Sequence, residues 1–413
     1  MSVGGESLEA PESRFAALRE APFRWFALSR LFSGTAMTLL GSAVAWHVYD
    51  LSHSPGELGL LGVIRFLPSL ALSLPAGAVA DAVERRRLIQ MAQVVPMLCS
   101  LTLCAVTLSG HASLPVLYSA VALASVAGVF EQPARASLLP QLVSREHFPR
   151  AVTLMSTLLF LGFAAGPMLT GFTTGRAGIA AAYGLHAALV SSSIVSLGQL
   201  PRLAAAANAA RVTWGAIVQG LRYVWNNKVV LGCMTLDMFA VILGGATALL
   251  PVYARDILHV GADGYGLLSG SLELGGLAMS GLLVFLPGFR RAGLALLWAV
   301  VAYGFATIAF GVSRSYPLSV ACYMMVGMAD AVSVVLRSTA IQLSTPDELR
   351  GRVSSVNFIF IGASNNLGQA ESGFLAELTS ATFAVVFGGV GCLVVVALVA
   401  WRLPALRRYR LSD

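Results

Sequence analysis

The chain has 413 residues, of which 57% are apolar and only 11% charged, with a formal net charge of +7. A soluble domain carries roughly 25% charged residues, so this composition cannot cover a water-facing surface, and a globular cytosolic protein is excluded. The basic excess does not read as a nucleic-acid footprint either, because its side chains are scattered over short segments between apolar runs.

The first 22 residues form a polar tail with Glu6, Glu9 and Glu12 and no apolar core before Trp25. No cleavable signal is expected, and the first apolar run serves as the insertion signal. Crossing roughly 30 Å of hydrocarbon takes about 20 apolar residues. Runs of that length recur at about 24–50, 57–80, 88–110, 114–139, 150–175, 178–200, 229–254, 262–286, 292–312, 317–340, 353–377 and 380–402. They predict an all-α membrane protein of twelve transmembrane helices in two pseudo-symmetric six-helix bundles. The organisation expected is a tail at 1–22, a bundle at 23–200, a linker at 201–228, a second bundle at 229–402 and a tail at 403–413. Within the linker, Trp214, Ile217, Val218, Leu221 and Trp225 fall at helical spacing, as an interfacial amphipathic helix requires. The five cysteines (Cys99, Cys104, Cys233, Cys322 and Cys392) all lie in apolar runs and read as packing residues.

Basic residues set the expected orientation. With the N-terminus inside, cytoplasmic segments hold 20 of the 27 Lys and Arg, including Arg85, Arg86, Arg87, Arg290, Arg291, Arg407 and Arg408. The external segments hold only Arg176, Arg255 and Arg314. This asymmetry places both termini in the cytoplasm of an inner (plasma) membrane protein.

The two halves echo each other. Arg135, Glu146 and Arg150 have the same spacing as Arg337, Glu348 and Arg352, and Gly59-Leu60-Leu61 matches Gly266-Leu267-Leu268. Parallel six-helix repeats with a site near the midplane are a transporter architecture.

The loop after helix 2 places Gly77, Asp81 and Arg85 at four-residue steps and continues into Arg86 and Arg87. It resembles the signature loop of the major facilitator superfamily. That resemblance implies the major facilitator fold and a cytoplasmic latch between halves, made by Gly77, Asp81, Arg85, Arg135 and Arg337. The plainer reading is a basic loop that only fixes topology. Glu84 stands where the family's glycine is usual, and Asp81-x-x-Glu84-Arg85-Arg86 resembles the branch of enterobactin-exporter and macrolide-efflux-like proteins. Pro133-Ala134-Arg135, Leu139-Pro140-Gln141-Leu142-Val143 and the stretch from Thr345 to Ser355 resemble the same branch. In helix 5, Gly162, Gly166, Pro167 and Gly171 resemble the antiporter motif of drug exporters, although Thr170 departs from the usual second glycine. Glycines four apart equally make a packing face.

Charges within spans are costly and normally face a cavity or a partner. They are Arg30, Arg65, Glu131, Arg135, Asp237, Glu273, Asp330, Arg337 and Glu371. Depth sorts Arg30, Glu131, Arg135 and Arg337 toward gating, and Glu273 and Asp330 toward mid-span proton carriage, with Asp237 and Glu131 as further candidates. Arg65 lies one residue from Glu273 in the repeat alignment, so the two are expected to face one central cavity. Asn365, Asn366 and Gln369 are either substrate contacts or interhelical glue. His186 is either a proton carrier or a satisfied histidine. Trp25, Trp46, Trp225 and Trp401 read as interfacial anchors.

No phosphate-binding loop, nucleophile elbow or metal-ligand spacing is present, so neither an enzyme nor a metal or cofactor site is expected. The function expected is secondary active transport: proton-coupled export of an amphipathic, drug-like or siderophore-like molecule by alternating access. The partners are the substrate, protons and the lipid bilayer, the protein being a monomer with no nucleic-acid ligand. The alternatives are a lipid-type or other solute transporter without strict proton coupling, and a receptor or scaffold that moves nothing.

Overall fold

A computed structural model of the protein describes residues 20–144, 146–201, 214–286 and 289–410. No strand occurs among them. The long helices are α1 (Ala21–Ser52), α2 (Pro55–Ala82), α3 (Arg85–Leu108), α4 (Leu114–Ala136), α5 (Phe148–Ala177) and α6 (Ile179–Gly198), then α7 (from Lys228), α8 (Gly261–Leu283), α9 (Ala292–Val312), α10 (Tyr316–Leu343), α11 (Asp347–Leu378) and α12 (Ala381–Arg402). Eleven of these are long and apolar enough to cross a membrane. The exception is α11, whose 32 residues include the amide cluster and Glu371. At 1.5 Å per residue it is about 48 Å long, and it lies along α2 and α7.

Helix starts follow local chemistry. Pro55 occupies the first turn of α2, and the Ser54 hydroxyl accepts from the Glu57 N–H. The Asn227 side chain accepts from the Val229 and Val230 N–H groups at the head of α7. Gly178, at φ +78°, turns the chain directly from α5 into α6, a backbone conformation that suits glycine.

Two groups of helices result. In the first, α1 packs on α5 and α6, α3 on α4 and α6, and α2 on α4; in the second, α8 packs on α10, α9 on α10 and α12, and α7 on α11 and α12. The groups meet along two seams, α5 on α8 and α2 on α11. In the chain between them comes the helix Trp214–Asn226, which packs on α11 and α7 of the second group. It buries Val224 and exposes Val218, Leu221 and Trp225, the amphipathic pattern expected of this segment; the side chains of Trp214 and Ile217 lie outside the described residues.

Glycines hold both seams together. A Cβ on Gly171 of α5 would lie 2.7 Å from the Gly266 Cα of α8, and one on Gly59 of α2 would lie 3.0 Å from the Ala370 carbonyl of α11. Nearer the helix ends, Asp50 pairs with Arg255, Tyr49 donates to Asp256, and Glu377 accepts from the Gly56 N–H at 3.0 Å and the Ser54 hydroxyl at 2.8 Å. All these contacts lie between mid-span and the end opposite the arginine-rich loops. The same faces part toward the basic end. Leu70, two turns beyond Gly62 on α2, is exposed, as are Gly362 and Ile359, which extend the Gly373–Asn366 face of α11. The packed contact between α2 and α11 is therefore at the end away from the basic loops, and these faces are exposed toward the basic end.

Candidate functional site

The second group carries the site. Helices α8 and α10 cross backbone to backbone: a Cβ on Gly275 would lie 2.9 Å from the Met324 carbonyl carbon, and one on Gly327 would lie 2.7 Å from that of Leu272. This crossing sets Glu273 on one helix and Asp330 on the other within electrostatic reach of each other. Neither makes an ion pair among the described residues. Tyr323 lies close to Glu273 and shares a 2.8 Å hydrogen bond with Thr247, while Tyr303 lies close to Asp330 and donates to the Gly244 carbonyl at 3.2 Å.

That carbonyl is available because α7 is broken. Its first part ends at Leu243, Gly244 and Gly245 interrupt the helix, and a short 3-10 turn resumes at Ala246–Leu249 before the helix runs on to Ile257. The break occurs where α7 meets α11: a Cβ on Gly245 would lie 2.7 Å from the Gly368 carbonyl carbon. Irregular backbone at this depth is tolerated where it lines a cavity. Such a cavity, of about 90 Å³, is bounded by Gly244, Gly245, Thr247, Tyr303, Tyr323, Asp330, Asn365 and Gln369. It suits a few waters and is far below the several hundred cubic ångströms of a drug-sized pocket.

Gln369 links this cavity to the first group. Its Oε1 accepts from Arg65 Nη1 at 3.3 Å, and Arg65 Nη2 donates to the Gly41 carbonyl at 3.4 Å. The expected approach of Arg65 to Glu273 is not an ion pair here. Arg65 is turned to Gln369 and Tyr265, and Glu273 to Asp330 and Tyr323. Tyr265 in turn donates to the Ser42 carbonyl at 3.1 Å and packs on Trp46, with ring centroids 5.1 Å apart. Trp46 is thus half-buried between the groups rather than a plain interfacial anchor. Asn365 and Asn366 each donate to the carbonyl four residues back on α11, and Glu371 accepts from Ser372.

The remaining membrane charges pair within their own groups. Asp237 pairs with Arg337 in the second, while in the first Glu131 pairs with Arg135 at 2.5 Å and accepts from Gln93 at 3.0 Å, with Arg30 nearby. Asp237, a candidate proton carrier in the sequence, is therefore held by an arginine, and among the described residues Arg337 and Arg135 make no hydrogen bond or ion pair across the groups. Arg85 likewise donates within its group, to the Ser137 carbonyl at 3.0 Å. The surroundings of Gly77 and the side chain of Asp81 lie outside the described residues. In α5, a Cβ on Gly162 or Gly166 would press on Thr35 or Leu39 of α1, while Gly171 and the Pro167 carbonyl meet Gly266 of α8, so the motif joins α5 to both neighbours. His186 shares a 2.6 Å hydrogen bond with Ser100 in a buried position away from the cavity.

Similarity to known proteins agrees with this geometry. The family described as "Transmembrane secretion effector" matches residues 12–411. The chain belongs to this family. It is a major facilitator transporter related to enterobactin exporters, and not an enzyme. The enterobactin exporters EntS of Citrobacter koseri and Shigella boydii are each 27% identical to it over 394 residues, covering 94% of this chain and 93% of theirs. Among solved structures, a POT family transporter in complex with 5-aminolevulinic acid superposes with a TM-score of 0.72 at 11% identity, covering 93% of this chain and 96% of that one. The nucleoside transporter NupG superposes at 0.71 with 13% identity, over 95% of this chain and all of that one. At such identities these two show the fold alone.

Several residues of this transmembrane secretion effector's site escaped the sequence. Tyr265, Tyr303 and Tyr323 are tyrosines in apolar runs, where packing is the default reading. The Gly244-Gly245 pair did carry a signal, since adjacent glycines inside a span mark a broken helix.

Proposed function

We propose that this protein is a proton-coupled exporter of an amphipathic small molecule, working by alternating access in the inner membrane with both termini in the cytoplasm. The observation that carries the reading is the contrast among the membrane acids. Asp237 and Glu131 are neutralised by arginines, whereas Glu273 and Asp330 share a buried crossing with each other and with tyrosines. A carboxylate without a cation partner is expensive in such a place, and a carboxylic acid is not. Proton uptake there removes a charge and changes which facing state is favoured. Arg65 and Gln369 join the two halves beside this pair, where substrate occupancy and proton occupancy affect each other.

The asymmetry of the arginines supports reading the basic end, where the faces of α2 and α11 are exposed, as the cytoplasmic one. An exporter loads its substrate from that side. The cytoplasmic latch of Asp81, Arg85, Arg135 and Arg337 belongs to the opposite facing state, which is why Arg135 and Arg337 pair within their own halves here. The test is efflux from proteoliposomes with and without an inward proton gradient, using a panel of amphipathic dyes and catechol-bearing chelators. Gradient-dependent efflux of one panel member is the expected result. Efflux indifferent to the gradient refutes the coupling, and movement of no solute at all refutes transport.

A further inference from the structure

Away from the central pathway, the start of α9 carries a groove of about 540 Å³ on the outer surface of the bundle. Leu286, Phe289, Arg290 and Arg291 line it ahead of the helix, and Leu294 and Trp298 line it along α9. Trp298 is 65% exposed although it lies six residues, about 9 Å, inside the helix. A tryptophan that open at that depth faces acyl chains near the interface.

The C-terminal segment docks on the same end of α9. Beyond α12 the chain makes a short turn, Pro404–Arg407, that folds back on the head of α9. The Gly293 N–H donates to the Tyr409 carbonyl at 3.1 Å, and Leu406 lies so close that any side chain at position 293 would displace it. This docking carries exposed Arg408, next in the chain to Tyr409, to the head of α9, where exposed Arg291 stands two residues before Gly293. Neither makes an ion pair among the described residues, and residues 284–298 and 402–410 contain no acidic side chain at all.

Cationic groups at the water boundary above an apolar groove with an open tryptophan match one kind of ligand, an amphiphile with a negative head. We infer that this groove binds an anionic phospholipid of the leaflet on the basic side. Its phosphate sits between Arg291 and Arg408, and one acyl chain lies along Leu294 and Trp298. A zwitterionic lipid carries its own cation beside the phosphate and gains less from the arginines, whereas a free phosphate leaves the groove unfilled. The bound lipid ties the C-terminal segment to α9, so it braces the second half without entering the transport path.

The test uses the full-length protein in nanodiscs containing brominated phosphatidylglycerol or brominated phosphatidylcholine at equal mole fraction. The Trp298 contribution is the fluorescence difference from Trp298→Phe. Quenching of that contribution should be about twofold or more greater for the phosphatidylglycerol, and the Arg291→Gln/Arg408→Gln double variant should abolish the difference. Equal quenching by the two lipids overturns the proposal, as does a preference that survives the double substitution. Native mass spectrometry of the unaltered protein supplies a second reading that does not depend on the variants folding. One phosphatidylglycerol retained against excess phosphatidylcholine is expected. Its absence, or its displacement by inorganic phosphate alone, refutes a lipid site.

Discussion

At the scale of single residues, the same chemical type plays two roles according to its partner. Asp237 and Arg337 neutralise each other inside the bundle, and removing one partner leaves a buried charge alone. Asp237→Asn or Arg337→Gln should therefore destabilise the protein by about 3–5 kcal/mol, read as a lower melting temperature in detergent. A drop of a degree or less would show the pair to be hydrated and dispensable. Glu273 and Asp330 have no such partner among the described residues, and their amides are nearly isosteric with the protonated acids. Glu273→Gln or Asp330→Asn should abolish gradient-driven efflux while leaving substrate exchange largely intact. If both variants keep full gradient-driven activity, the proton is carried elsewhere, with Glu131 next to be examined. Arg65 donates to Gln369 and the Gly41 carbonyl from two different nitrogens. A lysine there keeps the charge but not the two-pronged reach. Arg65→Lys should slow transport by about tenfold, the weight of roughly 1.4 kcal/mol of lost positioning, and wild-type rates in Arg65→Lys would leave charge as all that matters at this position.

At the scale of helices, glycines decide where backbones touch. The α5–α8 seam exists because Gly171 and Gly266 have no side chains. This seam belongs to the state closed opposite the basic end, so bulk at either position should push the equilibrium toward the other facing state. Gly266→Val is expected to lengthen distances between spin labels placed at the ends of α5 and α8 away from the basic loops. Unchanged distances would mean that the seam adapts by sliding. The α8–α10 crossing at Gly275 and Gly327 differs, since it lies within one half and fixes Glu273 against Asp330. A valine there should reduce folded yield rather than shift the facing state.

At the scale of the molecule, two sets of polar contacts oppose each other across the membrane. Asp50 with Arg255, Tyr49 with Asp256, and Glu377 with Ser54 and Gly56 join the halves at the end away from the basic loops. The signature-loop residues stand at the other end, and those described bond only within their own halves. Asp81→Asn should weaken the outward-facing state and slow transport, while Arg255→Gln should favour it; single-molecule distance histograms report both shifts. Normal transport and an unchanged conformational balance in Asp81→Asn would reduce the loop to a topology signal.

Much of this was legible in the sequence. Spans, short turns and the expected basic-side bias follow from composition along the chain, because burying a peptide in hydrocarbon demands helices of about 20 apolar residues wherever it happens. The family followed from a few short motifs, and the charges worth attention stood out because lipid makes each of them expensive. The run at 353–377 read as one more apolar span, although α11 is the most polar of the long helices and carries the amide cluster and Glu371. Partnership was not legible. Whether Asp237 carries a proton or pairs with Arg337, and whether Arg65 reaches Glu273 or Gln369, depends on helix rotation of a few tens of degrees, which period and composition leave free. The tyrosines around Glu273 and Asp330 were invisible for the same reason, since an aromatic in an apolar run reads as packing until a neighbouring helix supplies its polar partner. Tertiary structure decided these because each is a contact between segments far apart in the chain, set by where small residues let two backbones meet.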